Sequence, residues 1–366
     1  MKRILHVVGA RPNFMKIAPI VHEVNNHPRE FEQMLVHTGQ HYDANMSKIF
    51  FDELDLPKPD LNLEVGSGSH AQQTAQMMQR LEPVLLDYKP DWVIVPGDVN
   101  STLACTLVAS KLGNKVAHVE AGLRSFDRTM PEEINRILTD QISDLLFTPS
   151  RDADENLLRE GIAQAKIHSV GNVMIDTLVQ LLPKAHDRWS SLQSRMGLSQ
   201  YALVTLHRPS NVDNPQILRE ILQALESIAE QIDIIFPVHP RTRQRIAVHQ
   251  LLPAQHKITL LEPLGYLDFL ALQLHAAFVL TDSGGVQEET TYLGIPCLTA
   301  RPNTERPVTI TTGTNQLVES SYGALVTAVE KILTKPVAAH WTIPELWDGC
   351  TAKRIVEVLA SCHGCG

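Results

Sequence analysis

The stretch HVEAGLRSFDRTMPEEINR, residues 118–136, gathers three glutamates (Glu120, Glu132, Glu133) and three arginines (Arg124, Arg128, Arg136) directly after an apolar run of strand length. Carboxylates in such company can move protons, or they can simply pair with the cations. Glu120 stands at the mouth of the strand, where a carboxylate needs a solvent-filled cleft or a cation to stay charged. Glu132 and Glu133 fall differently: Met130 to Arg136 reads as a helix start, with Pro131 near the first position and acids in the first turn. Glu133 and Arg136 have the helical spacing that allows a surface pair. Asp98, on the turn after Pro96-Gly97, is either a base or the N-cap of the helix STLACTLVASKL, and the sequence alone divides evenly between the two.

Other strand ends are also loaded. Gly9-Ala10-Arg11-Pro12 follows the first apolar run, with Lys16 one turn into the next helix; His207-Arg208 and His239 follow later runs. In TDSGGVQEE, residues 281–289, Ser283, Gly284 and Gly285 lie between the apolar AAFVL and a helix expected to begin near Val286. Bare backbone N–H groups at a helix N-terminus form a cradle for phosphate. Glu288 and Glu289, one turn in, are placed to accept bonds from ribose hydroxyls; the plainer alternative is a tight turn with acids on the helix dipole. No G-x-G-x-x-G follows the first strand, where the sequence is VVGARPNFMK, so NAD is disfavoured. Asp152-Ala153-Asp154 has the look of a metal-binding acidic pair but suits the first turn of a helix better. Cys362 and Cys365 lack a second pair to complete a zinc site. Neither a metal nor a cofactor is expected.

These residues need a frame that brings strand ends together. Apolar runs of strand length (ILHVVG, EQMLVHTG, DWVIVPGD, KVAHVEAG, LLFTPS, KIHSVG) alternate with helical segments, the pattern of a parallel sheet covered on both faces. A long polar helix interrupts it around residues 172–200, and a second series follows: YALVTLH, IDIIFPVH, KITLLEP, AAFVLTDSGG and IPCLTA. The reading is α/β, with two doubly wound domains, residues 1–171 and 172–350, facing each other across a cleft where ligands bind at the strands' carboxyl ends. A chain of 366 residues suits two cores. With 43% hydrophobic residues, 20% charged and a net charge of -9, it is an ordinary globular chain with no general attraction for nucleic acid. The apolar run in MKRILHVVGARP is too short for a signal peptide or a membrane span, and the five scattered cysteines suit a reducing compartment, so a cytoplasmic location is expected.

Taken in order, GARPNFMK, PGDVNST, HVEAGLR, PEEINR, LHRPSN, PVHPR, TDSGGVQEE and TERP resemble the non-hydrolysing UDP-N-acetylglucosamine 2-epimerases of bacteria and archaea over nearly the whole chain. The resemblance implies a GT-B-type fold of two Rossmann-like domains, with a last helix, residues 351–362, returning to the first. It implies a cofactor-free homodimer that interconverts UDP-GlcNAc and UDP-ManNAc, a precursor of surface polysaccharides. C2 of the sugar has no adjacent carbonyl, so the family's route is elimination of UDP across C1 and C2 to a glycal, then re-addition. That route needs a base, an acid on the opposite face and cations for departing UDP.

By matching motifs, the resemblance assigns Asp98, Glu120 and Glu132 as acid and base carboxylates, with the division among them open. Arg11, Lys16 and His207 become phosphate and leaving-group partners. Ser283, Gly284 and Gly285 hold the pyrophosphate, Glu289 the ribose and Phe269 the uracil region; Arg136 and Arg306 join the substrate contacts. Glu133 and the arginines of the opening stretch keep a scaffold reading beside this. Two departures stand out. Pro209-Ser210 replaces the Arg-Glu that many members carry, and Gln40–Met46 differs in spacing from the allosteric segment of some members. TGQHYDANMS and RSFDRTMPEEINR also resemble relatives that epimerise UDP-diacetamido-uronic acids. A GT-B glycosyltransferase, which needs an acceptor groove, and a non-catalytic nucleotide-sugar sensor are the alternatives from other classes.

Overall fold

A computed structural model of the chain describes residues 1–9, 11–39, 51, 53–251, 257–334 and 341–362, with the backbone but not the side chain of Arg11 among them. The chain forms two compact units, Met1–Gln180 with Glu345–Gly366, and Leu181–Pro344.

Unit 1 is built on strands β1 (Lys2–Val8), β2 (Phe31–His37), β3 (Leu61–Asn62), β4 (Trp92–Pro96), β5 (Lys115–Val119), β6 (Leu145–Thr148) and β7 (Ile167–Ser169). They pair in parallel in the order β3-β2-β1-β4-β5-β6-β7. Ile4, Leu5, Val7 and Val8 of β1 are fully buried, as expected of a central strand covered on both faces. The two-residue β3 escaped sequence reading because it is short and exposed. Helices α1 (Arg11–Asn25), α2 (His70–Tyr88), α3 (Asn100–Lys111), α4 (Pro131–Ile142) and α5 (Arg151–Arg159) cover the sheet. Ser69 and Gln72 start α2 with a capping box, satisfying otherwise orphaned N–H groups. Met77, Leu81 and Leu85 of α2 pack with Val93, Val95 and Ala104 in the core.

Helix α6 (Val173–Met196) carries the chain from one unit into the other, and the division falls inside it, at Gln180/Leu181 instead of the 171/172 read from sequence. The strand pattern ends before the helix does, so pattern alone places the break early. Ile175 and Leu178 are buried in the first unit, whereas Trp189 stacks on His275 at 3.9 Å in the second.

Unit 2 carries β8 (Tyr201–Thr205), β9 (Asp233–Pro237), β10 (Ile258–Leu261), β11 (Phe278–Thr281), β12 (Cys297–Ala300) and β13 (Asn315–Val318), parallel, in the order β10-β9-β8-β11-β12-β13. The polar NQLV of β13 hid that strand from sequence reading. Its longer helices after α6 are α7 (Pro215–Ile228), α8 (Pro240–Val248), α9 (Tyr266–Leu274), α10 (Gly284–Leu293) and α11 (Tyr322–Thr334). The last helix, α12 (Thr351–Ser361), belongs to unit 1: Lys2 Nζ donates to Leu359 O at 2.8 Å and Ala352 N–H to Asp176 Oδ2 at 2.7 Å. Both sheets reverse their order beside the first strand, at β1/β4 and β8/β11, the switch points where open α/β sheets bind ligands. No helix among the described residues is long and apolar enough to cross a membrane.

Candidate functional site

In unit 1 the charged residues converge on the turn that leaves β4 at the switch point. Gly97 adopts φ 69°, a conformation that glycine enters without penalty. A Cβ there would lie 2.9 Å from Lys16 Nζ and 3.4 Å from Glu120 Oε2, so the missing side chain makes room for that buried ion pair. Asp98, the next residue, pairs with Arg136. α3 is N-capped by Val99 without a side-chain bond, and the Asp98 carboxylate accepts from Arg136. Asn135 Nδ2 donates to Asp98 O at 2.9 Å and fixes the same turn.

Glu120 leaves β5 with φ 72°, a strained value for a residue with a side chain. Glu133 is buried and accepts from Ser125 N–H and Phe126 N–H, both at 2.9 Å, and from Arg136 Nη2 at 2.7 Å. Burial opposes its ionisation, yet the Ser125 N–H and Arg136 hold it below the usual carboxylate range. Glu132, one residue earlier, is exposed, and no hydrogen bond or ion pair engages its side chain among the described residues. The acids of the opening stretch therefore sort by environment: Glu120 buried on a lysine, Glu133 buried on backbone and arginine, Glu132 facing solvent.

In unit 2 the switch point brings His207 to Asp282. Asp282 directly follows Thr281, the last residue of β11, and its buried carboxylate accepts from Arg208 N–H at 2.9 Å, Asn211 Nδ2 at 3.0 Å and His207 N–H at 3.1 Å. His207 Nδ1 lies 2.9 Å from Asp282 Oδ1, with the imidazole 40% exposed and the carboxylate 0%. The carboxylate can only accept, so Nδ1 carries a proton and Nε2 is the nitrogen turned to a ligand. Burial disfavours the charged carboxylate, and the bonds from His207, Arg208 and Asn211 outweigh it, keeping Asp282 below its ordinary range.

Ser283 is the N-cap of α10, and Gly284 and Gly285 are its first helical residues, two positions earlier than the sequence suggested. The glycines thus belong to the helix instead of making a tight turn, which aims their N–H groups outward along its axis. A Cβ on Gly284 would meet Arg306 Nη1 at 2.5 Å and Glu305 Oε1 at 2.9 Å. Arg306 stands there against the loop, with Nε 2.8 Å from Glu288 Oε1 and a second contact to Glu305. Burial weighs against charge on Glu305, but Arg306, Arg301 and Arg208 hold it well below the usual range. Glu289 is buried and accepts from Tyr266 Oη at 2.9 Å and Gln273 Nε2 at 3.1 Å. Phe269, on the same helix as both donors, packs partly buried in a cluster with Val286 and Leu264.

The sequence model of the family described as UDP-N-acetylglucosamine 2-epimerase matches residues 22–360. The chain belongs to the UDP-N-acetylglucosamine 2-epimerase family. The UDP-N-acetylglucosamine 2-epimerase of Methanocaldococcus jannaschii is 47% identical over 361 residues, 96% of this chain and 97% of that protein. The UDP-2,3-diacetamido-2,3-dideoxy-D-glucuronate 2-epimerase of Pseudomonas aeruginosa is 43% identical over 364 residues, 98% of this chain and 99% of that one. Among solved structures, the M. jannaschii UDP-GlcNAc 2-epimerase in complex with UDP-GlcNAc and UDP aligns with a TM-score of 0.92 and 46% identity, covering 98% of this chain and 100% of that chain. The α/β, GT-B-type fold implied by the family resemblance is thereby shown.

Within this 2-epimerase frame, the structure brings together Lys16, Asp98, Glu120 and Arg136 in unit 1, and His207 with Ser283, Gly284 and Gly285 around Asp282 in unit 2. The side chain of Arg11 and the segment Gln40–Met46 lie outside the described residues. Sequence reading passed over Asp282 and the buried pair of His118 with Asp140. Asp282 gave a signal, an acid between an apolar strand and a glycine pair; Asp140, inside a helix, gave none. Asp152 and Asp154 occupy the first turn of α5, where Asp154 accepts from Thr148 and Ser169 hydroxyls.

Proposed function

We propose that this chain interconverts UDP-N-acetylglucosamine and UDP-N-acetylmannosamine by eliminating UDP across C1 and C2 and adding it back. The observation that carries the reading is the gathering of Glu120 on Lys16 and Asp98 on Arg136 about one strand-end turn. A carboxylate takes the C2 proton, the C2–H electrons form the C1=C2 bond, and the C1–O bond breaks toward UDP. A proton then returns to C2 from the other face while the UDP oxygen rebonds to C1. The reaction is an isomerisation without net redox change, so acid–base groups and cations suffice.

The reading assigns proton transfer to Asp98, Glu120 and Glu132, and the departing phosphate to Lys16, Arg11 and His207. Ser283, Gly284 and Gly285 would hold the pyrophosphate, Glu289 the ribose and Phe269 the uracil. Arg136, paired with Asp98, and Arg306, against the glycine loop, would join the substrate contacts. A second reading, a 2-epimerase of UDP-diacetamido-uronic acid, draws support from the 43% identity to the P. aeruginosa enzyme of that name. Turnover of the two sugars in parallel separates them: faster conversion of the uronic substrate would displace the first reading. We place the enzyme in the cytoplasm as a homodimer. Ile134, Leu138 and Ile142 of α4 form an exposed apolar face that suits a second copy. A monomeric mass by light scattering at micromolar concentration would refute the dimer.

A further inference from the structure

His118 is a fully buried histidine among the apolar residues Val116, Ala117 and Val119 of β5, two residues before Glu120. Both ring nitrogens are engaged: Nδ1 lies 2.6 Å from Asp140 Oδ1 and Nε2 2.7 Å from Gly97 O. A carbonyl oxygen only accepts, so Nε2 bears a hydrogen. Asp140 is gripped by Arg124 Nη1 at 2.7 Å and by Gly122 N–H at 3.1 Å, contacts that favour its carboxylate form and call for a hydrogen on Nδ1 as well. Arg124 reaches on to Glu160 at 2.7 Å, which closes a group of His118, Asp140, Arg124 and Glu160. Buried ion groups of this kind contribute little net stability over apolar packing, so the feature this one adds is geometry.

Besides the bond from Arg124 Nη1 to Leu123 O, two bonds leaving the group end on Gly97 O and Gly122 N–H. Gly97 immediately precedes Asp98, and Gly122 follows Glu120 by two residues, so one rigid unit pins the backbone beside both carboxylates. Glu120 holds a left-handed φ of 72°, which for a residue with a side chain persists when its surroundings over-determine it, and it is flanked by Gly97 and Gly122 at φ 69° and 80°. We propose that His118 and Asp140 are positioning residues for epimerisation, locking the turns that carry Asp98 and Glu120 at a fixed separation. The proposal rests on the functional reading above. A displacement of about 1 Å in a reacting group costs on the order of 10²-fold in rate, which is the scale at stake here.

Three variants test it. His118→Leu keeps the volume and removes both donors; His118→Gln keeps one amide donor with the reach of Nε2; His118→Asn keeps a donor one methylene too short. For the Leu variant kcat should fall about 30- to 100-fold with KM within about threefold, and Gln should recover kcat to within about fivefold of wild type. Hydrogen exchange followed by mass spectrometry should quicken at residues 97–100 and 120–124 in the Leu variant and not in the Gln variant. Wild-type kcat in a folded Leu variant, or a Gln variant no better than Leu, overturns the proposal. If the Leu variant does not fold, Gln should exceed Asn about tenfold in kcat, and equality overturns the proposal. A wild-type control without turnover would refute the functional reading instead, and the exchange pattern would then decide the positioning by itself.

Discussion

Replacing Asp282 with asparagine is the sharpest probe of unit 2, because the change preserves shape and alters one acceptor. The carboxylate now accepts from His207 Nδ1, His207 N–H, Arg208 N–H and Asn211 Nδ2. In Asp282→Asn the amide oxygen satisfies Arg208 N–H and Asn211, which turns the amide NH2 toward His207 Nδ1. His207 must then carry its hydrogen on Nε2 and lose the partner that supports a positive charge. If His207 stabilises departing UDP, kcat should fall by about 10²- to 10³-fold, or about 3 to 4 kcal/mol at 1.36 kcal/mol per tenfold. Stability should drop by about 2 to 4 kcal/mol, since buried hydrogen bonds to a charged group are worth about 1.5 to 3 kcal/mol each and one side of the amide now donates. If the N–H groups of Ser283 and the glycines hold the pyrophosphate, as proposed, UDP affinity should stay within about threefold of wild type. The assay is conversion of UDP-N-acetylglucosamine resolved by chromatography, with UDP binding by calorimetry and stability by urea titration. A double variant with His207→Asn should be no slower than the worse single variant. An Asp282→Asn enzyme within threefold of wild-type kcat, or strictly additive losses in the double variant, would refute the reasoning.

Other perturbations separate chemistry from scaffold. Glu120→Gln, Asp98→Asn and Glu132→Gln should each cut kcat by about 10²-fold or more, as loss of acid or base catalysis does; near-normal activity in one returns that residue to an ion-pair or surface role. Glu133→Gln should instead lower stability, by about 2 to 3 kcal/mol, because it leaves Arg136 with a weaker buried partner, and a catalytic defect without destabilisation would contradict that assignment. His6, fully buried on β1 with Nε2 2.8 Å from Gln33 Oε1, has its pKa pushed by burial from 6.5 down to about 4, with the Gln33 bond acting the other way. A depressed value means that the folded state refuses a proton the unfolded chain accepts. The stability is therefore intact above 6.5 and is lost as pH falls toward 4. Between pH 7 and 4.5 the wild type should lose about 2 to 3 kcal/mol more than His6→Leu in urea titrations, and parallel pH profiles would refute the cause.

Much of this frame was legible in the sequence because parallel strands buried on both faces are apolar nearly throughout, as WVIVP is and as ILHVV is apart from His6. The units could be read for the same reason, while their border could not: α6 is continuous across it, and amphipathic periodicity does not say which core a turn packs on. The places of Lys16, one turn into α1, and of Glu120 and the Ser283 loop, at strand ends, were readable from the sequence. The partnerships were not, since Asp98 with Arg136 and His118 with Asp140 join residues 38 and 22 positions apart through tertiary contact alone. Glu132 and Glu133 show the limit most plainly: adjacent, identical in type, and divided by which side of α4 each faces.

The central claim is that C2 is deprotonated and reprotonated during elimination and return of UDP. Incubating the enzyme with UDP-N-acetylglucosamine in D2O and reading C2 of the product by NMR tests it most directly. UDP-N-acetylmannosamine carrying deuterium at C2 is the predicted result, and epimerised product that retains its original hydrogen there would contradict the account.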